Sequence, residues 1–127
     1  MSCPFCNRIR SNHISAERGS AVAFPDAQPL TPGHTLVVPR RHFVELRELE
    51  PEELTDLWLL GVSLCRKLEV EHKAEAFNLG INAGRAAGQT VDHLHLHVIP
   101  RYDGDVDDPR GGIRWVIPQR ARYWLEP

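Results

Sequence analysis

The sequence contains no apolar run long enough to cross a bilayer, and its longest, LWLLGV, falls far short of one. The opening MSCPFCNRIR also lacks the apolar core of a secretion signal. A soluble, cytoplasmic protein with no membrane partner is therefore expected. Cysteine is scarce and odd in number, three in 127 residues, which argues against a disulfide framework and for thiols in a reducing compartment. Neither sign of charge dominates: 15 Lys and Arg stand against 17 Asp and Glu, a formal net charge of −2. That balance gives no general pull toward nucleic acid, and no nucleic-acid partner is expected. Internal repeats and low-complexity segments are missing too. What is present, 127 residues of which 42% are hydrophobic, suits a single domain over residues 1–127 with a genuine core.

Two short apolar stretches near the start, SAVAFPD (20–26) and HTLVVP (34–39), read as strands, and the AQPLTPG between them has the Pro and Gly content of a turn. They predict a hairpin with a moderately long loop. In EPEELTDLWLLGVSLCRKLEVEH, Glu50 is placed to cap a helix, Pro51 suits its first position, and Glu52 and Glu53 complement its N-terminus. Leu54, Leu57, Trp58, Gly61, Leu64, Cys65 and Leu68 recur at three- and four-residue spacing, so one stripe packs on the sheet, with Cys65 in the core. AFNLGINAG then alternates Phe77, Leu79 and Ile81 with Asn78, Gly80 and Asn82, the pattern of another strand. GRAAGQT follows as a hairpin-length connection to an antiparallel neighbour. The segment from 102 to 127 is expected to be an irregular surface tail with one short extended piece, IRWVIP.

That neighbour is DHLHLHVIPR, with His93, His95 and His97 at alternate positions. In a strand the three imidazoles emerge on one face and Leu94, Leu96 and Val98 on the other. Three readings are open. The face is a plain polar surface; it is a zinc centre, since three imidazoles and a water make a catalytic site; or one imidazole is a nucleophile that its neighbours orient. Donors for a phosphate stand nearby in sequence: the amides of Asn82 and Gln89, the hydroxyl of Thr90 and the backbone of the Gly-containing loop. Asp92, the carboxylate beside the triad, is sent to the opposite face by the alternation, which weakens the metallohydrolase reading.

AGQTVDHLHLHVIPR resembles the signature of the histidine triad (HIT) superfamily, and LTPGHTLVVPRRH resembles that family's upstream segment. With NLGINAG, the resemblance covers roughly residues 3 to 101. It implies an α+β domain in which a long helix packs on one face of an antiparallel sheet, and usually a homodimer. It also implies attack by the central histidine on the α-phosphorus of a nucleoside phosphate, giving a covalent nucleotidyl-histidine. Carried to this chain, the nucleophile is His95; His97 contacts the phosphate, and His34 completes the imidazole network. Asn82 and Thr90 match positions that place the phosphate or leaving group, Gln89 either stabilises their loop or offers its amide to the phosphate, and Asp26 matches a position that accepts hydrogen bonds from the ribose hydroxyls.

Some HIT proteins carry a Cys-x-x-Cys that binds zinc. By that resemblance Cys3, Cys6, His42 and His93 form a closed structural zinc site, the alternative being free thiols. GDVDDPRGGIRWVIP resembles a tail of bacterial HIT proteins labelled diadenosine tetraphosphate hydrolases. Its Arg110, Arg114, Arg120 and Arg122 either supply cations to a polyphosphate or form a solvated basic tail. The expected function is hydrolysis or transfer at the α-phosphate of a nucleoside polyphosphate, such as diadenosine tetraphosphate. The alternatives are a nucleoside phosphoramidate hydrolase and a nucleotide-binding protein with weak turnover.

Overall fold

The structure, a computed structural model, describes residues 3–125. A short helix α1 (Pro4–Arg10) leads into strands β1 (Ala16–Arg18), β2 (Ala21–Pro25) and β3 (Thr35–Pro39). Helix α2 (Pro51–His72) follows, then β4 (Ala76–Ile81), β5 (Leu96–Arg101) and a short α3 (Pro118–Ala121). The five strands form one antiparallel sheet in the order β1-β2-β3-β5-β4. The mixed architecture is the expected one. No helix among the described residues is long and apolar enough to cross a membrane.

Helix α2 forms where its spacing predicts, although Trp58, expected in the packed stripe, is exposed because the sheet-facing stripe is narrower than the spacing implied. Glu50 and Glu53 make a reciprocal capping box around Pro51, satisfying N–H groups that the first turn leaves unpaired. Its buried stripe, Leu57, Leu60, Gly61, Leu64 and Leu68, covers one sheet face. Leu94, Leu96 and Val98 meet it from below, with Phe77, Leu79 and Ile81 packed at the margin. Gly61 permits the close approach: a Cβ there would stand 2.9 Å from Leu96 Cδ2. Cys65 lies at the border of this core, half-buried. The opposite sheet face buries Val22, Phe24, Leu36 and Val38 under Phe5 of α1.

Three further expectations need correction. Strand β5 starts at Leu96, so His93 and His95 precede it in irregular chain, bent through His93, that bonds to the segment after β3: Leu94 N–H donates to Phe43 O at 2.7 Å. The connection from β4 is accordingly longer than a hairpin turn, running from residue 82 to 95. The stretch IRWVIP is not extended. Residues Gly112–Val116 wind into a 3-10 turn that runs on toward α3, because the chain enters through Gly111 and Gly112 at positive φ; the turn lies against β4 without joining the sheet. The tail is held by its own aromatic and guanidinium groups: Arg110 lies over Trp124 at 4.5 Å, Arg114 over Tyr123 at 4.9 Å and Arg122 over Trp115 at 5.5 Å.

Candidate active site

Three chain segments converge on the sheet face opposite α2. Strand β5 contributes His97, whose register partners are Leu36 on β3 and Gly80 on β4. Ahead of it, the alternation that puts Leu94 into the α2 core turns His93 and His95 toward α1. The ring of Phe5 stands edge-on to both, with centroids 5.8 Å from His93 and 5.1 Å from His95. His95 and His97 are neighbours at 5.0 Å. From the β2–β3 loop comes His34, following Gly33 at φ +90°, a left-handed conformation that glycine adopts freely. A Cβ on Gly33 would stand 3.0 Å from Leu68 and His72 of α2, so the turn sits close against the helix and delivers His34 to the site.

The hydrogen bonds fix the ring states. The backbone N–H of Leu30 donates to His34 Nδ1 at 3.0 Å, so in the neutral ring the proton sits on Nε2. That Nε2 lies 3.0 Å from His97 Nδ1 and donates to it, leaving the His97 proton on its own Nε2. His97 thus offers a donor. His95 is held the opposite way: its Nδ1 donates to the carbonyl of His93 at 2.9 Å, so its Nε2 carries the lone pair. A donor and a nucleophilic nitrogen therefore stand on adjacent rings. Burial pushes the pKa of His34 down and takes His97 down to about 4, with the neighbouring His95 and His34 adding to the effect on His97. Both rings stay neutral near pH 7, which preserves the relay.

Asp26 stands at the end of β2, where Oδ1 accepts the Gln28 N–H at 2.8 Å and Oδ2 lies 3.5 Å from His34 Nε2. It is tied into a local turn and also faces the imidazole network. Asn82 follows β4, half-buried, just beyond Ile81. Gln89 is engaged with backbone: its oxygen accepts from Gly84 N–H at 2.9 Å, and its amide donates to Val44 O at 3.0 Å and Val91 O at 3.2 Å. Its side chain shapes the loop that precedes the histidines. Thr90 is exposed on that loop, and Asp92 is exposed.

The metal candidates also meet. Cys3, Cys6, His42 and His93 place one donor atom each within 4.8 Å of all the others. Cys3 Sγ is 3.4 Å and Cys6 Sγ 3.5 Å from His93 Nδ1, and Cys6 Sγ is 3.3 Å from His42 Nδ1. His93 gives its Nε2 proton to Pro39 O at 2.9 Å, which leaves Nδ1 free to ligate. Burial and the adjacent Cys3 push the Cys6 thiol up, so as a free thiol Cys6 holds its proton, and metal binding would release it. Two thiol sulfurs and two imidazole nitrogens fit a metal ion.

Two contributors escaped the sequence reading. Phe5 wedges between α1 and the histidines, and its signal is a large apolar residue set between two cysteines. The Leu30 N–H that sets the His34 tautomer has no side-chain signature.

Comparisons with known proteins agree with this geometry. The HIT domain family matches residues 9–104. An uncharacterised HIT-like protein of Mycobacterium tuberculosis is 43% identical over 108 residues, covering 83% of this chain and 75% of that protein. The asymmetrical bis(5′-nucleosyl)-tetraphosphatase of Schizosaccharomyces pombe is 42% identical over 88 residues, 69% of this chain but 48% of that longer protein. Among solved structures, a Zn-bound histidine triad family protein of Mycobacterium smegmatis superposes with a TM-score of 0.77 at 33% identity, covering 97% of this chain and 96% of the other.

Proposed function

Because this chain belongs to the HIT domain family, we propose that it is a nucleotide hydrolase or transferase cleaving at the α-phosphate of a nucleoside polyphosphate. The observation that carries this reading is the opposed ring states of His95 and His97. The His95 Nε2 lone pair forms a bond to the α-phosphorus while the phosphorus–oxygen bond to the leaving phosphate breaks, the electron pair departing with that oxygen. His97 Nε2–H donates to the phosphate as charge moves onto its oxygens. Water or another acceptor, giving up its proton to solvent, then attacks phosphorus and breaks the nitrogen–phosphorus bond. The lone pair returns to His95, and the nucleotide is released.

Asp26 would accept the ribose hydroxyls, and Asn82 and Thr90 would position the phosphates, with Gln89 holding their loop. A dinucleoside polyphosphate such as diadenosine tetraphosphate is the preferred substrate, supported by the name of the S. pombe relative. A phosphoramidate hydrolase would use the same histidines on a phosphorus–nitrogen bond. Zinc is the ion we assign to Cys3, Cys6, His42 and His93, since a closed set of two thiolates and two imidazoles suits that ion in a structural role. It would tether α1 to the histidine segment and supply no chemistry.

Product analysis on diadenosine polyphosphates, adenylyl sulfate and an adenosine phosphoramidate, with and without added phosphate, tests the reading. The expected result is AMP from diadenosine tetraphosphate at a rate exceeding the other two. Cleavage of the phosphoramidate alone would transfer the assignment to that class, and binding without any product would make the chain a nucleotide-binding protein.

A further inference from the structure

Two side-chain hydroxyls tie the turn that carries His34 to the end of β5. Thr31 Oγ1 donates to Pro100 O at 2.7 Å, and Tyr102 Oη donates to Pro32 O at 2.7 Å. The β5 end of this clamp is itself braced. Arg101 donates through Nε and Nη2 to both oxygens of Asp105, at 2.8 and 2.9 Å, and through Nη1 to Asn78 Oδ1 on β4 at 2.7 Å. Asp105 Oδ2 also accepts the Tyr102 N–H at 3.1 Å, and a forked guanidinium–carboxylate contact of this kind fixes geometry as well as charge. Immediately before Thr31 stands Leu30. Its side chain is 72% exposed, so packing does not hold it, yet its N–H meets His34 Nδ1 at 3.0 Å.

His34 Nε2 and His97 Nδ1 stand 3.0 Å apart, so a single proton lies between them; two protons or two lone pairs in that gap would repel. The neutral pair therefore has two arrangements, both rings protonated on Nε2 or both on Nδ1. Only the first gives His97 an Nε2–H to offer a phosphate. The second sets a His34 Nδ1–H against the Leu30 N–H, donor to donor, and turns the His97 lone pair toward an anion. Asp26 Oδ2, 3.5 Å from His34 Nε2, biases the pair toward the first arrangement from a longer distance. We infer that Thr31 and Tyr102 are positioning residues: by holding the turn to β5 they keep the Leu30 N–H on His34, and so keep His97 a donor. The effect on turnover rests on the nucleotidyl-transfer reading above; the proton arrangement does not.

Ring-nitrogen NMR shifts of full-length protein, isotopically labelled at histidine and held near pH 7, read which nitrogen of each ring carries the proton, with His34→Gln and His97→Gln giving the assignments. Wild-type protein should show Nδ1 unprotonated on both rings. In a Thr31→Val, Tyr102→Phe pair the two arrangements should mix, drawing the Nδ1 and Nε2 shifts of each ring toward one another. A Thr31→Ser, Tyr102→Phe pair, which keeps the first hydroxyl, should recover most of the change. On diadenosine tetraphosphate, kcat of the Val–Phe pair should fall by about twofold to tenfold, the size of one net hydrogen bond, while KM holds. Wild-type ring shifts in a pair that merely melts at lower temperature would overturn the inference, because a role in stability alone leaves the protons where they are. If that pair does not fold, Thr31→Val and Tyr102→Phe are read singly, and unmoved shifts in both overturn it. Moved shifts with undiminished kcat would overturn the link to turnover. If no nucleotide is turned over, the nucleotidyl-transfer reading fails while the ring shifts still decide the clamp.

Discussion

His97 and Asp26 show how single side chains carry the chemistry. His97 has its pKa pushed down from 6.5 to about 4, chiefly by burial. Between those values an unfolded chain binds a proton at this residue that the folded chain refuses, so stability falls as pH drops from about 6.5 toward 4 and the loss levels off below that. Denaturant unfolding across pH 4–7 should show this slope, and His97→Gln, which cannot titrate, should flatten it. An unchanged slope in the variant would place the titration elsewhere. Asp26 is proposed to pair with both ribose hydroxyls, and an acceptor left unpaired by a missing hydroxyl costs about 1–3 kcal/mol. The enzyme should therefore prefer ribonucleotides to 2′-deoxyribonucleotides by about tenfold or more in kcat/KM, each factor of ten being about 1.4 kcal/mol. Asp26→Ala should abolish that preference; its persistence would give the ribose contact to another group.

At the scale of elements, α1 is held in place by contacts far apart in sequence. Phe5 is buried against Phe24 and the histidines, and the cysteines flanking it meet His42 and His93. Purified protein should contain close to one zinc per chain, and a Cys3→Ser, Cys6→Ser pair should lose it and melt at lower temperature with residual activity. Full stability without zinc would contradict the structural role. This element also shows where the sequence was hard to read. Helix α2 was legible because its apolar spacing and capping residues act locally, and β2 and β3 were legible as short apolar runs between turn residues. The seven-residue α1 has little helix signal of its own and forms around Phe5 and the sulfur donors, which are long-range contacts. The HLHLH alternation correctly separated the two faces, but it could not show where pairing begins. Val37 is the last residue of β3 aligned with β5, opposite Leu96, so the first two histidines lie beyond the ladder. Likewise IRWVIP has strand composition, but the glycines ahead of it turn the chain so that it lies against β4 without joining the ladder.

For the whole molecule, β4 ends the sheet with one unpaired edge, and α2 exposes Trp58, Leu59 and Val62. Such an edge, like exposed apolar side chains, is a template for association. We propose that a second copy covers it, so sedimentation should give twice 14.4 kDa, and Trp58→Glu should shift the mass to one chain. A monomer at all concentrations would refute this arrangement. The account as a whole turns on one covalent bond, between His95 Nε2 and an α-phosphorus. Wild-type protein quenched during turnover of α-phosphate-labelled diadenosine tetraphosphate should carry acid-labile, alkali-stable label. His95→Ala should carry none, with turnover lowered by about 10³-fold or more. Label persisting in His95→Ala, or undiminished turnover without it, would contradict the account.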